Sequence, residues 1–171
     1  SDPMTENTTK SDLIDKVHHE HQHLCRLFED LQSSFEKINS GELDGESRAE
    51  TLESASEDLA VALDEMLHHF DQEEEVFFVD IEERFPDLRE EIVALVAAHE
   101  LMGERTRWLQ AQLKKPVDVI SRDAGQILDV IRGMTELVIK HTEDEQRLFD
   151  VVLQKIPADE RVSLLKEMQS I

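Results

Sequence analysis

Along most of the chain, apolar residues return alternately every third and fourth position, the spacing that lays one stripe along an α-helix. Four such stripes can be read. The first runs Val17, His21, Leu24, Phe28, Leu31, Phe35, Ile38, and the second Leu52, Ala55, Leu59, Ala62, Met66, His69, Glu73, Val76. The third runs Leu88, Ile92, Leu95, His99, Met102, Thr106, Leu109, Leu113, and the fourth Ile127, Ile131, Met134, Val138, His141, Glu145, Leu148, Val152. Turn-forming residues separate them: Asn39-Ser40-Gly41 with Gly45, then Phe85-Pro86-Asp87, Lys114-Lys115-Pro116 and Ile156-Pro157. This punctuation predicts helices over roughly 12 to 39, 47 to 84, 87 to 114 and 121 to 154, with a tail helix at about 158 to 169. Ser47, Asp87 and Ser121 stand where N-caps belong, and short connections make sequential helices antiparallel.

The predicted fold is all-α: an up-down-up-down four-helix bundle over 12–154 with a short C-terminal helix in 155–171. Ser1-Asp2-Pro3 ahead of Met4 reads as a cloning remnant, and the polar, aperiodic run to about residue 11 as a disordered N-terminus. Val162, Leu164, Leu165 and Met168 give the tail an apolar side, which suits capping the bundle better than forming a dimer.

The 171 residues suffice for one sizeable core. Forty acidic against 18 basic side chains give a net charge of −22, which repels nucleic acid and anionic lipid. The longest apolar runs, such as residues 92–98, fall well short of the ~20 residues a membrane span needs, and no signal peptide opens the chain. A cytoplasmic protein with neither nucleic-acid nor membrane partners is expected. The single cysteine, Cys25, can form no internal disulfide and fits a reducing compartment. With no tyrosine, mechanisms needing a tyrosyl radical or a phenolic acid are excluded.

The chemistry lies where the stripes turn polar. Burying a polar group without a partner costs a few kcal/mol, and an unpaired carboxylate costs more, so four histidines and two glutamates in apolar register must be satisfied together. A metal ion does this directly, since neutral imidazole and ionised carboxylate are ligands for iron, manganese or zinc. His69 and Glu73 are four residues apart, as are His141 and Glu145, so each pair projects from one helix face. Measured from the loop centres, His21, His69, His99 and His141 fall at one height to within about 4 to 6 residues, or roughly 6 to 9 Å. One seam histidine alone would read as a core imidazole hydrogen-bonded to a neighbour; four at one level read as a site. Glu74 and Glu75 are out of phase and read as solvated. His18, His19, His23 and His68 lie off the seams, His18 being the best placed of them, one turn before His21.

These residues resemble the hemerythrin-like, or HHE cation-binding, family: Glu20-His21 followed by Leu24 and Leu27, then His69-Phe70-x-x-Glu73-Glu74-x-x-Phe77, His99, and His141-x-x-x-Glu145-x-x-x-Phe149. The resemblance covers about residues 12 to 154. It implies a non-heme centre of two iron ions joined by an oxo or hydroxo group, with His21, His69, His99 and His141 as terminal ligands and Glu73 and Glu145 bridging. The oxygen carriers have His-x-x-x-His on the third helix, whereas here Gly103 follows His99. That departure implies an open position beside the metal, for water, an exogenous ligand or His18, and favours O2, NO or peroxide chemistry over simple oxygen carriage.

The ferritin-like pattern of Glu-x-x-His does not fit, because Val138 stands three residues before His141. Zinc or manganese are the second-choice metals. Phe28, Phe70, Phe77 and Phe149 suit a dry wall around the site or plain core. Cys25, one turn after His21, reads as inert packing, and Trp108 as core or boundary. The first functional reading is sensing, scavenging or stress response through a small gaseous or peroxide ligand, with enzymatic turnover left open. The alternatives are an iron-handling or iron-sensing protein whose fold depends on metal loading, a zinc-binding variant of the same bundle, and a purely structural bundle. A homodimer or an unidentified protein partner stays open.

Overall fold

A computed structural model describes the backbone of residues 3–169 and the side chains of residues 21–163 and 166; among these residues the chain is all-helical, without strands. The elements are α1 (Pro3–Ser40), α2 (Gly45–Gln72), a single π-helical turn (Glu73–Phe77), α3 (Phe78–Arg84), a 3-10 turn (Pro86–Leu88), α4 (Arg89–Leu113), α5 (Val117–Arg122), α6 (Ala124–Lys155) and α7 (Ala158–Gln169). The four apolar stripes fall on α1, on α2 with the π turn, on α4 and on α6. Helix α1 begins at Pro3 rather than near residue 12. Proline suits the first turn of a helix, and the polar run behind it contains no breaker. No described helix is long and apolar enough to cross a membrane.

The chain forms two compact units. The first comprises residues up to Gln22, His68–His99 and the chain from Lys140 onward; the second comprises His23–Leu67 and Glu100–Ile139.

In the second unit the stripes bury as expected, with Phe28, Phe35, Leu59, Met102, Leu109, Ile127 and Ile131 almost wholly inaccessible. The break after α1 depends on glycine, since Gly41 and Gly45 have φ of +80° and +54°, where a Cβ is strained. Helix α2 therefore starts at Gly45, and Ser47 lies within its first turn instead of capping it. The chain after Pro116 also differs from expectation. It forms the short α5 before α6 begins at Ala124, and the Ser121 hydroxyl donates to the Val117 carbonyl at 2.8 Å inside α5, so Ser121 caps nothing.

In the first unit Phe77, Phe78 and Ile81 form one core with Leu88, Ile92 and Leu95 of the next segment and Leu148, Phe149, Val152, Leu153 and Ile156 of α6 and its end. The π turn corrects the second stripe: Val76, expected inside, is 44% exposed, while Phe77 and Phe78 are buried. A π turn holds an extra residue, so the inward position slips by one. Phe85, ahead of Pro86, is extended and ends α3. Asp87 lies in the 3-10 turn, not at an N-cap; it accepts from Lys155 Nζ at 2.8 Å, which holds its carboxyl below the usual range. Helix α7 packs on the π turn, and Arg84 Nη1 reaches Glu160 Oε2 at 3.4 Å. Val162 is 39% exposed; Leu164, Leu165 and Met168 lie outside the described side chains.

Candidate metal centre

The four histidines and two glutamates of the stripes all belong to the first unit: His21 from α1, His69 from α2, Glu73 at the start of the π turn, His99 from α4, and His141 and Glu145 from α6. His21, Glu73, His99, His141 and Glu145 are buried, and His69 is half-buried. Within the pairs spaced by four residues, His69 Nε2 lies 2.5 Å from Glu73 Oε1 and His141 Nε2 lies 3.0 Å from Glu145 Oε2. Between helices, His21 Nε2 is 3.3 Å from Glu145 Oε2, His99 Nε2 is 3.4 Å from Glu73 Oε2, and the Nε2 atoms of His99 and His141 face each other at 3.1 Å. The result is two overlapping groups of donor atoms, each within 4.8 Å of one another. One is Glu73, His99, His141 and Glu145; the other is His21, His69 and Glu73.

Such a cluster is costly as bare protein. Both nitrogens of His21, Nδ1 of His141, Oε2 of Glu73 and both oxygens of Glu145 have no hydrogen-bond partner of usable geometry among the described residues. Burial lowers the pKa of His21 from 6.5 to about 4 against the pull of Glu145, with the other three histidines adding to the fall. Burial likewise takes His99 to about 4, helped by His141 and opposed by Glu145 and Glu74. Glu145 is pushed up, first by burial and then by the Glu73 carboxylate, with His21 and His141 pulling the other way. The His21 and His99 rings are thus neutral at neutral pH, and ring nitrogens and carboxylate oxygens converge. A cation would satisfy the orphaned atoms and offset the repulsion between Glu73 and Glu145. The donor set therefore fits a transition metal.

The model of the hemerythrin HHE cation-binding domain matches residues 12–152. The chain belongs to the hemerythrin HHE family. No curated protein and no solved structure matches it significantly. As a hemerythrin-family domain it is a cation-binding helical bundle, and its buried histidine and glutamate cluster could hold the metal.

One residue of this hemerythrin-family site escaped the sequence pattern. Glu74, expected on the solvated face, turns inward enough to place Oε1 3.2 Å from His99 Nδ1, while Glu75 is exposed as expected. The adjacent acidic run was the available signal, but nothing in it marks a π turn.

The aromatic surroundings divide. Phe70 stacks on His99, with centroids 3.7 Å apart and planes 5° apart, and Phe78 lies nearly parallel at 5.9 Å. Phe77 and Phe149 pack edge to face in the core of the first unit, whereas Phe28 belongs to the second. His23 and His68 are exposed; His18 and His19 lie outside the described side chains.

Gly103 leaves room for a Cβ. A Cβ there would meet Arg107 Nη1 at 3.5 Å and Leu67 Cδ2 at 3.6 Å, both ordinary contacts in the second unit. Cys25, also in that unit, has its thiol pKa raised by partial burial and by Glu29, which disfavours the reactive thiolate. Trp108 is half-buried, at the boundary. A cavity of about 740 Å³ in the second unit, bordered by His23, Leu27, Asp58, Leu59 and Glu65, contains none of the six residues. Converging buried donors mark this centre; cavity size does not.

Proposed function

We propose that this chain is a non-heme di-iron protein that binds or reacts with O2, NO or peroxide in the cytoplasm, as a sensor, scavenger or stress-response factor. Its four long helical segments are taken to run up-down-up-down, so that each contributes ligands at one level. The carrying observation is the pair of donor groups that share Glu73. Two neighbouring cations with a common carboxylate would use such a set. His21 and His69 would serve one ion, His99 and His141 the other, with Glu73 and Glu145 between them. Bound iron supplies reversible one-electron chemistry and open coordination positions for a small diatomic or peroxide ligand.

The surrounding residues support this chemistry. The His21 and His99 imidazoles are kept neutral by burial and so remain available as ligands. The rings of Phe70, Phe77 and Phe78 keep this part of the first unit apolar, which raises the cost of releasing charge or admitting bulk water. Anaerobic stopped-flow mixing of the diferrous protein with NO and then with O2 tests the reading. A new absorption band with either ligand is expected, and no spectral change with both contradicts it.

A second reading, a protein that handles or senses iron through metal-dependent folding, is favoured by the repulsion between Glu145 and Glu73. It predicts a lower unfolding temperature without iron together with no reaction toward O2 or NO.

A further inference from the structure

His99 is held at both ring nitrogens and on its face. Its Nδ1 lies 3.2 Å from Glu74 Oε1, its Nε2 faces His141 Nε2 and Glu73 Oε2 at 3.1 and 3.4 Å, and its face stacks on Phe70. A carboxylate oxygen accepts a hydrogen bond, so the proton between Glu74 and His99 belongs to Nδ1. A neutral imidazole has only one ring proton. With that proton on Nδ1, Nε2 carries a bare lone pair aimed at the donors of its own group.

The local backbone explains how two successive carboxylates reach one ring. On a regular α-helix, neighbouring side chains diverge by about 100°. Here Glu73 and Glu74 open the π turn, where the register slips, and they meet opposite nitrogens of His99. π turns of this kind recur at functional sites. Glu74 is 29% exposed and belongs to neither donor group, so it touches the far edge of the ring and not the position where a metal would sit.

We propose that Glu74 is a positioning residue of the metal centre: it accepts the Nδ1 hydrogen of His99, fixes that tautomer and the ring's orientation, and so presents Nε2 as a ligand. This rests on the metal reading above. A carboxylate bound to the outer nitrogen of a ligand histidine also raises its basicity toward the metal, and removing such partners typically costs about 10–100-fold in metal affinity.

The test uses the full chain loaded with ferrous iron under anaerobic conditions and, separately, with zinc, each titrated against a competing chelator. Glu74→Leu and Glu74→Ala are expected to bind each metal about 10–100-fold more weakly. Glu74→Gln, whose amide oxygen still accepts from Nδ1, should recover most of the loss, and Glu75→Leu should bind as the wild type does. The alanine variant adds no bulk and keeps the comparison available should the leucine variant not fold.

A second readout separates positioning from general support of the fold. In ring 15N spectra of the zinc-loaded chain, His99 should show a proton on Nδ1 protected from exchange in the wild type and Glu74→Gln, with protection lost in Glu74→Ala. Equal affinity in Glu74→Ala and wild type, or an unchanged Nδ1 signal, overturns the positioning role while leaving the centre standing. A wild type that retains neither metal overturns the centre itself, and this assignment with it.

Discussion

The two units are built from the same long helices yet fill their interiors in opposite ways. Among the described residues of the second unit, the buried polar side chain is Thr106 alone, and its hydroxyl donates to the Met102 carbonyl one turn back at 2.7 Å. Apolar burial holds that interior, with the Thr106 hydroxyl satisfied within its own helix, although Arg48 Nε is buried in the same unit without a partner among the described residues. The first unit buries His21, Glu73, His99, His141 and Glu145, several of whose atoms have no hydrogen-bond partner among the described residues. Secondary structure does not distinguish the two, since helices α1, α2, α4 and α6 serve both. The difference comes from a handful of stripe positions where His or Glu replaces Leu, Ile or Met. One interior is filled almost wholly by apolar side chains, and the other gathers donors that a cation would satisfy.

The strongest challenge to this contrast is removal of metal. If loaded protein sits at a thousandfold excess of metal over its Kd, chelation removes about 4 kcal/mol, which lowers the unfolding temperature by roughly 8–16 °C for a chain of this size. Hydrogen exchange should accelerate in residues 68–99 and 140–155 first, and later in 23–67. Uniform acceleration, or none, would erase the distinction between the units.

Truncation in the second unit should separate stability from binding. Leu59 is fully buried there, so Leu59→Ala is expected to cost about 2–5 kcal/mol in urea unfolding with unchanged metal content per chain. His141→Ala in the first unit should instead abolish stoichiometric metal binding. If Leu59→Ala lost metal while still folded, the independence of the two interiors would fail.

Acidification of the metal-free chain should weaken the first unit selectively. The unfolded chain takes up protons at its histidines near pH 6.5, whereas folded His21 and His99 do so only near pH 4, so stability falls as pH drops through that window and levels off below it. Each ring contributes at most roughly 3 kcal/mol. Glu145 works in the opposite sense, because its raised pKa lets the folded state hold a proton that the unfolded state has released. Urea midpoints at several pH values between 7 and 4 should therefore show a net decline, and a flat profile would mean that the rings are not buried neutral.

The smallest effect belongs to Thr106→Val, which removes a hydroxyl already bonded within its helix; a change within about 1 kcal/mol is expected, with metal binding unaffected.

Much of this organisation was legible in the sequence because it is carried by period and by exception to period. Stripes such as Leu52, Leu59 and Met66, or Ile127, Ile131 and Met134, place the helices, and the same register makes His99 and Glu145 conspicuous as polar residues in apolar positions. What stayed hidden depends on backbone geometry that leaves little trace in residue type. The π turn inserts its extra residue without a glycine or proline, so Val76 looked inward and Phe78 did not. The same slip brings Glu74 to His99, a contact that phase alone assigns to solvent. Ser47 and Ser121 have the chemistry of N-caps, but α2 begins at Gly45 and α5 at Val117 just after Pro116, and the serines fall inside.

Elemental analysis of the aerobically purified full chain, with its absorption spectrum between about 300 and 700 nm, decides whether the first unit's buried histidines and glutamates form a metal centre. About two irons per chain with oxo-to-iron charge-transfer bands are expected. A fully helical, cooperatively folded chain that retains no transition metal would contradict that.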